Sequence, residues 1–215
     1  MRRSKNQDNP LYKLQLVSTS FFLKLFLSLI GVVLVLFGGQ YLSNLEGAKA
    51  LLPIVVFVFV FDTFRDFGFS LIRSFEKMEW EAGLFLLTNA AILVFGIIFL
   101  YSSPSVTSFT YAYAAGTAVG MAATLTVVTR RFPGFFHNFK KSLIRPILTS
   151  AWPFAVAGIA SGLMVNTDII ILGWFRTAEE IGFYSATLRI IQLLYLIPSI
   201  LSISTFPLFS RSQAP

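Results

Sequence analysis

The chain is built from apolar runs of bilayer length. Residues 21–42 carry a single charge, Lys24. A hydrocarbon core about 30 Å thick is crossed by about 20 helical residues. Lipid offers no hydrogen-bond partners, so only helices and closed barrels can span it. Five similar runs follow, at 50–72, 82–101, 107–129, 147–173 and 181–203. They do not alternate. Residues 54–61 are apolar throughout, which excludes a barrel strand. Composition agrees: 55% of residues are hydrophobic and 13% charged, against about 25% charged in soluble domains. The expectation is an all-α polytopic membrane protein with six transmembrane helices.

The N-terminus has the look of a signal peptide, since Arg2, Arg3 and Lys5 precede an apolar run. The polar leader continues to Lys13, however, and Gly38-Gly39-Gln40 is a poor cleavage site. A retained helix is expected. Basic residues then set the orientation. Arg2, Arg3, Lys5, Lys13 and Lys24 precede or edge the first run, and Arg73 and Lys77 follow the second. Arg130, Arg131, Lys140, Lys141 and Arg145 follow the fourth, and Arg211 follows the sixth. The opposite side has only Lys49 and Arg176. The positive-inside rule places both termini in the cytoplasm. The net charge of +7 thus reports orientation, and no nucleic-acid partner is expected.

The long loop at 130–146 separates a four-helix section, 1–129, from a two-helix section, 147–215. In it, Phe135, Phe136, Phe139 and Leu143 can share one helical side and His137, Lys140, Lys141 and Arg145 another. That pattern fits either an interfacial helix favouring anionic lipid or an ordinary basic loop. Gly116 and Gly120, extended by Ala112, and Gly158 and Gly162 form small-xxx-small pairs that admit a neighbouring helix. Intramolecular packing is their expected use. Trp80 and Trp152 fall where interfacial aromatic anchors belong.

Charges inside a bilayer are costly and mark cavities or partners. Asp62, Arg65 and Asp66 lie within the second run. Their i, i+3, i+4 spacing puts them on one helical face within about one turn. They could hold a cation or proton, line a polar path, or form a neutral clasp between helices. Asp168 and Arg189 lie on opposite arms of the hairpin made by the fifth and sixth runs, with Asn166 beside Asp168. They could pair. Alternatively Arg189, with its fixed fork of donors, suits phosphate or pyrophosphate. Arg73 to Glu81 reads as a solvated loop. Enzyme chemistry has little to work with. His137 is the only histidine, cysteine is missing, and HExxH, GxSxG and Walker A patterns do not occur. No cofactor, metal or ATP site is expected.

The stretch Asn166-Thr-Asp-Ile-Ile-Ile-Leu-Gly-Trp-Phe175, followed by Ala178-Glu-Glu-Ile-Gly-Phe-Tyr-Ser-Ala186, resembles the bacterial polysaccharide (O-antigen type) flippases. These belong to the multidrug/oligosaccharidyl-lipid/polysaccharide exporter superfamily. Arg189, Ile197-Pro198, Pro207 and Ser210 continue the pattern. Arg73-Ser-Phe-Glu-Lys-Met78 and Trp152-Pro153-Phe154 also resemble family segments.

The resemblance implies a transporter of the bacterial cytoplasmic (inner) membrane. It would move lipid-linked oligosaccharide, on an undecaprenyl-type carrier, by ion-coupled alternating access. Arg65 and Arg189 would face pyrophosphate or sugar. Asp62, Asp66 and Asp168 would serve coupling or gating. Family members have about twelve to fourteen spans in two lobes. The six runs here resemble the later part of the N-terminal lobe, the inter-lobe linker and the first two helices of the C-terminal lobe. The chain is therefore expected to be a fragment whose partners include the missing helices of the full-length transporter. The alternatives are a drug or small-molecule exporter of the same superfamily and a non-transporting membrane scaffold. A scaffold would tolerate apolar replacement of Asp62, Arg65 and Asp66.

Overall fold

The computed structural model describes residues 10–42, 46–131 and 136–194. The described residues form six α-helices and no strand. The helices are α1 (Pro10–Leu42), α2 (Glu46–Ser74), α3 (Met78–Ser102), α4 (Val106–Arg131), α5 (Ile144–Phe175) and α6 (Ala178–Leu194), with a 3₁₀ turn at Lys141–Leu143. The all-helical expectation is met. Among these residues, four segments are long and apolar enough to cross a membrane: Leu11–Gly39, Met78–Ser102, Val106–Arg131 and Lys141–Phe175. That is two fewer than the six runs. α2 carries Asp62, Arg65 and Asp66 in its C-terminal half, and the described part of α6 is only 17 residues. The rest of the 181–203 run, including Pro198, lies outside the described residues.

The chain divides into two compact units, 1–157 and 158–215, with the division inside α5. In the first, α4 packs on α3 and on α2, and α1 packs on α2. Ala112, Gly116, Thr117, Gly120, Thr124 and Val128 are the buried residues of α4, at a spacing that keeps them on one stripe. A Cβ on Gly116 would come within 2.7 Å of the Ile92 backbone, and one on Gly120 within 2.3 Å of Thr88 Oγ1. The first small-xxx-small pair is thus the α3–α4 contact itself. Gly158 and Gly162 have open space around them. The hydroxyls inside this contact are satisfied by their own helices: Thr88 donates to Leu84 O (2.7 Å) and Thr124 to Gly120 O (2.8 Å).

α1 is 33 residues long, about 50 Å at 1.5 Å per residue. Its described part reaches back to Pro10, eleven residues before the first apolar run. The extension carries tertiary contact near its junction with that run. Ser18 and Thr19 are fully buried, and Thr19 Oγ1 accepts the Lys140 backbone N–H at 3.0 Å. Phe21 and Phe22 meet Phe136 and Phe139 edge-on, with ring centroids 5.4 and 5.6 Å apart. Residues 136–140 are consequently a turn and an extended stretch rather than an amphipathic helix. Their aromatic rings lie on α1, and Leu143 is buried. Phe135 lies outside the described residues.

The α2–α3 connection is three residues long. Lys77 N–H reaches Ile72 O (3.4 Å) and Glu76 N–H reaches Arg73 O (2.9 Å), with Glu76 at φ 59°. This is a Schellman closure with glutamate where glycine is usual. Arg73 grips Glu81 with two donors, its Nε at 3.0 Å from Oε2. The stretch expected to be a solvated loop is an ordered corner. The second unit holds the end of α5 and α6. α6 opens with a capping box: Thr177 N–H donates to Glu180 Oε2 (3.1 Å) and Glu180 N–H to Thr177 Oγ1 (3.4 Å). The Thr177 N–H, with Arg176 nearby, holds the Glu180 carboxyl below its ordinary range.

Candidate functional site

The charged turn of α2 folds on itself as its spacing requires. Arg65 Nη1 lies 2.8 Å from Asp62 Oδ1, and Arg65 Nη2 lies 3.3 Å from Asp66 Oδ1. The three differ in exposure. The side chain of Arg65 is 16% exposed, that of Asp62 30% and that of Asp66 60%. Arg65 also stacks over Phe69 of its own helix, 5.6 Å from the ring centroid. Its Nε is buried without a hydrogen-bond partner among the described residues. The guanidinium is therefore the inner member of the group, and Asp66 is the carboxylate turned outward.

A fourth charge joins from α1. Lys24 Nζ sits 5.8 Å from the centre of the ring of Phe67, the residue next to Asp66 on α2. Sequence reading placed Lys24 at the edge of a span as a topology determinant. With α1 starting at Pro10 it falls well inside the helix, on the face packed against α2. With Lys24 counted, the neighbourhood holds two cations and two carboxylates and no formal net charge. Seven aromatic and aliphatic residues, among them Phe21, Phe64 and Phe69, form the adjoining core. A low-dielectric wall beside the charges strengthens their attraction relative to water.

In the second unit, the Asp168 carboxylate accepts a hydrogen bond from the Tyr184 hydroxyl through Oδ2, and its Oδ1 accepts the Ile169 N–H at 3.0 Å. This joins α5 to α6. Arg189 forms no ion pair with a described residue; Tyr184, five positions earlier on α6, takes the place beside Asp168. Asn166 Nδ2 donates to Gly162 O of its own helix at 2.8 Å.

A family model described as polysaccharide biosynthesis protein matches residues 3–213. The chain belongs to this family. No match is found among curated proteins or among solved structures. As a member of the polysaccharide biosynthesis family with four apolar helices long enough to cross a bilayer, it is a multi-pass membrane protein.

Two residues of the site escaped sequence reading. Lys24 was hidden because its neighbours are set by helix packing and not by spacing. Tyr184 was visible in the Gly-Phe-Tyr-Ser-Ala segment that carries the family resemblance. The two halves of that segment, around Asp168 and around Tyr184, are joined by this hydrogen bond.

Proposed function

We propose that the chain is part of a flippase that carries lipid-linked oligosaccharide across the bacterial cytoplasmic membrane by ion-coupled alternating access. The observation that carries this reading is the family match over residues 3–213. The six-run topology with both termini in the cytoplasm belongs to the same proposal, as do the lobes at 1–129 and 147–215 joined by 130–146. The intramembrane charges supply its chemistry. Asp66, the exposed carboxylate, is the coupling group: binding a proton or cation there weakens its hold on Arg65. Arg65, released from one carboxylate, and Arg189, free of any described ion pair, offer donors to pyrophosphate or sugar. Asp62 keeps Arg65 in place. Asp168, held by Tyr184, and Asn166 serve gating within the hairpin.

The test is single substitution of Asp62, Arg65, Asp66, Asp168 and Arg189 in the native gene carrying this chain. The readout is lipid-linked sugar reaching the outer leaflet, normalised to protein in the membrane. Export should fall at Arg65 and Asp66 first. Normal export by all five variants overturns the assignment of the path.

A further inference from the structure

The α2–α3 corner and the end of α4 enclose a cavity of about 310 Å³ lined by Ile72, Phe75, Lys77, Trp80, Val127 and Arg131. It combines two chemistries. Ile72 and Val127 make an apolar floor. Lys77 and Arg131 bring two cations, neither ion-paired with a described residue, and Arg131 lies over the Trp80 ring at 5.4 Å. Its depth is set by the helices. The apolar segment of α3 begins at Met78 and that of α4 ends at Arg131, so the cavity opens at the edge of the bilayer. A second groove, of about 440 Å³, continues from Trp80 and Val127 along Gly83, Leu84 and Leu87. From Lys77 to Leu87 is about 15 Å of helix rise, directed into the hydrocarbon. Of the corner's carboxylates, Glu81 is held by Arg73. Glu79 lines the second groove and Glu76 sits at the turn, neither in the lining of the cationic cavity.

We propose that this corner is a binding site for an anionic glycerophospholipid of the surrounding leaflet. Its phosphodiester sits between Lys77 and Arg131, its glycerol region lies against Trp80, and one acyl chain runs along Gly83, Leu84 and Leu87. Two cations without an ion pair among the described residues, beside an aromatic ring and above an apolar groove, match the charge order of such a lipid from headgroup to chain. The site is separate from the Asp62–Arg65–Asp66 group and does not depend on the transport reading.

The test uses the whole protein in bilayer nanodiscs, with every tryptophan other than Trp80 (Trp152 and Trp174 among them) replaced by Phe so that Trp80 alone fluoresces. Quenching by brominated phosphatidylglycerol is compared with that by brominated phosphatidylcholine and phosphatidylethanolamine. Phosphatidylglycerol should be favoured at least about fivefold, the effect of one to two interfacial cations. K77Q/R131Q should abolish that preference while leaving helix content and phosphatidylcholine quenching unchanged. Added salt should erode it in the protein without those two substitutions, a check that needs no charge variant. Equal quenching by all three lipids, or a preference that survives K77Q/R131Q, overturns the proposal. So does displacement of phosphatidylglycerol by millimolar inorganic phosphate, which would make the pocket a site for soluble phosphate.

Discussion

Arg65 is the side chain on which the first unit's charges depend. It is nearly buried and serves two carboxylates at once. Removing one member of a buried ion pair costs about 3–5 kcal/mol because the other charge is stranded. Asp62 is partly exposed, so R65L should cost less, about 2 kcal/mol, read as a fall in thermal midpoint. Neutralising the set together, as K24M/D62N/R65L/D66N, should recover most of that loss, since none of the four charges is left stranded. In the second unit, Y184F removes the only side-chain donor described at Asp168. Because both groups are accessible, the thermal midpoint should stay close to that of the unsubstituted protein. The larger effect belongs in transport if Asp168 gates. The cluster on α2 was legible because i, i+3, i+4 spacing fixes a face within one helix. Lys24 and Tyr184 come from other helices. Their neighbours depend on register between elements, which no local pattern encodes.

The elements show the same division. The middle of each apolar run became a helix, whereas the ends moved. α1 extends well before its apolar run, and its Thr19, Phe21 and Phe22 are covered by residues 136–140, a contact between segments more than a hundred residues apart. The amphipathic reading of that loop gave way for the same reason: its phenylalanines pack on α1. Three predictions belong at this scale. G116L must push the Ile92 backbone away from α4, so it should destabilise by about 3 kcal/mol, the upper range for overpacking. G158L, in open space, should have little effect on the stability of the isolated chain. At the α2–α3 corner, Glu76 occupies a left-handed conformation that costs a side-chain-bearing residue about 1 kcal/mol. E76G should therefore stabilise the corner by up to about 1 kcal/mol despite glycine's greater freedom in the unfolded chain. Thermal unfolding in detergent checks all three.

At the scale of the molecule, membrane residence was legible from composition and run length alone, and the family from the hairpin around Asp168 and Tyr184. The match over residues 3–213 places the whole described helical array within the polysaccharide biosynthesis family. Charge in such an array is retained against its cost in the bilayer, and here it is concentrated where α1 meets α2. In the proposed function these charges work in transport and are not a packing clasp. The decisive measurement is export of lipid-linked sugar to the outer leaflet by D62N/R65L/D66N, made in the native gene carrying this chain and normalised to folded protein in the membrane. A normally inserted protein is expected, with export lower by at least about tenfold, the loss of one transition-state contact of about 1.4 kcal/mol. Export at the unsubstituted rate, from protein equally abundant in the membrane, would contradict the proposal and leave the charges as a structural clasp.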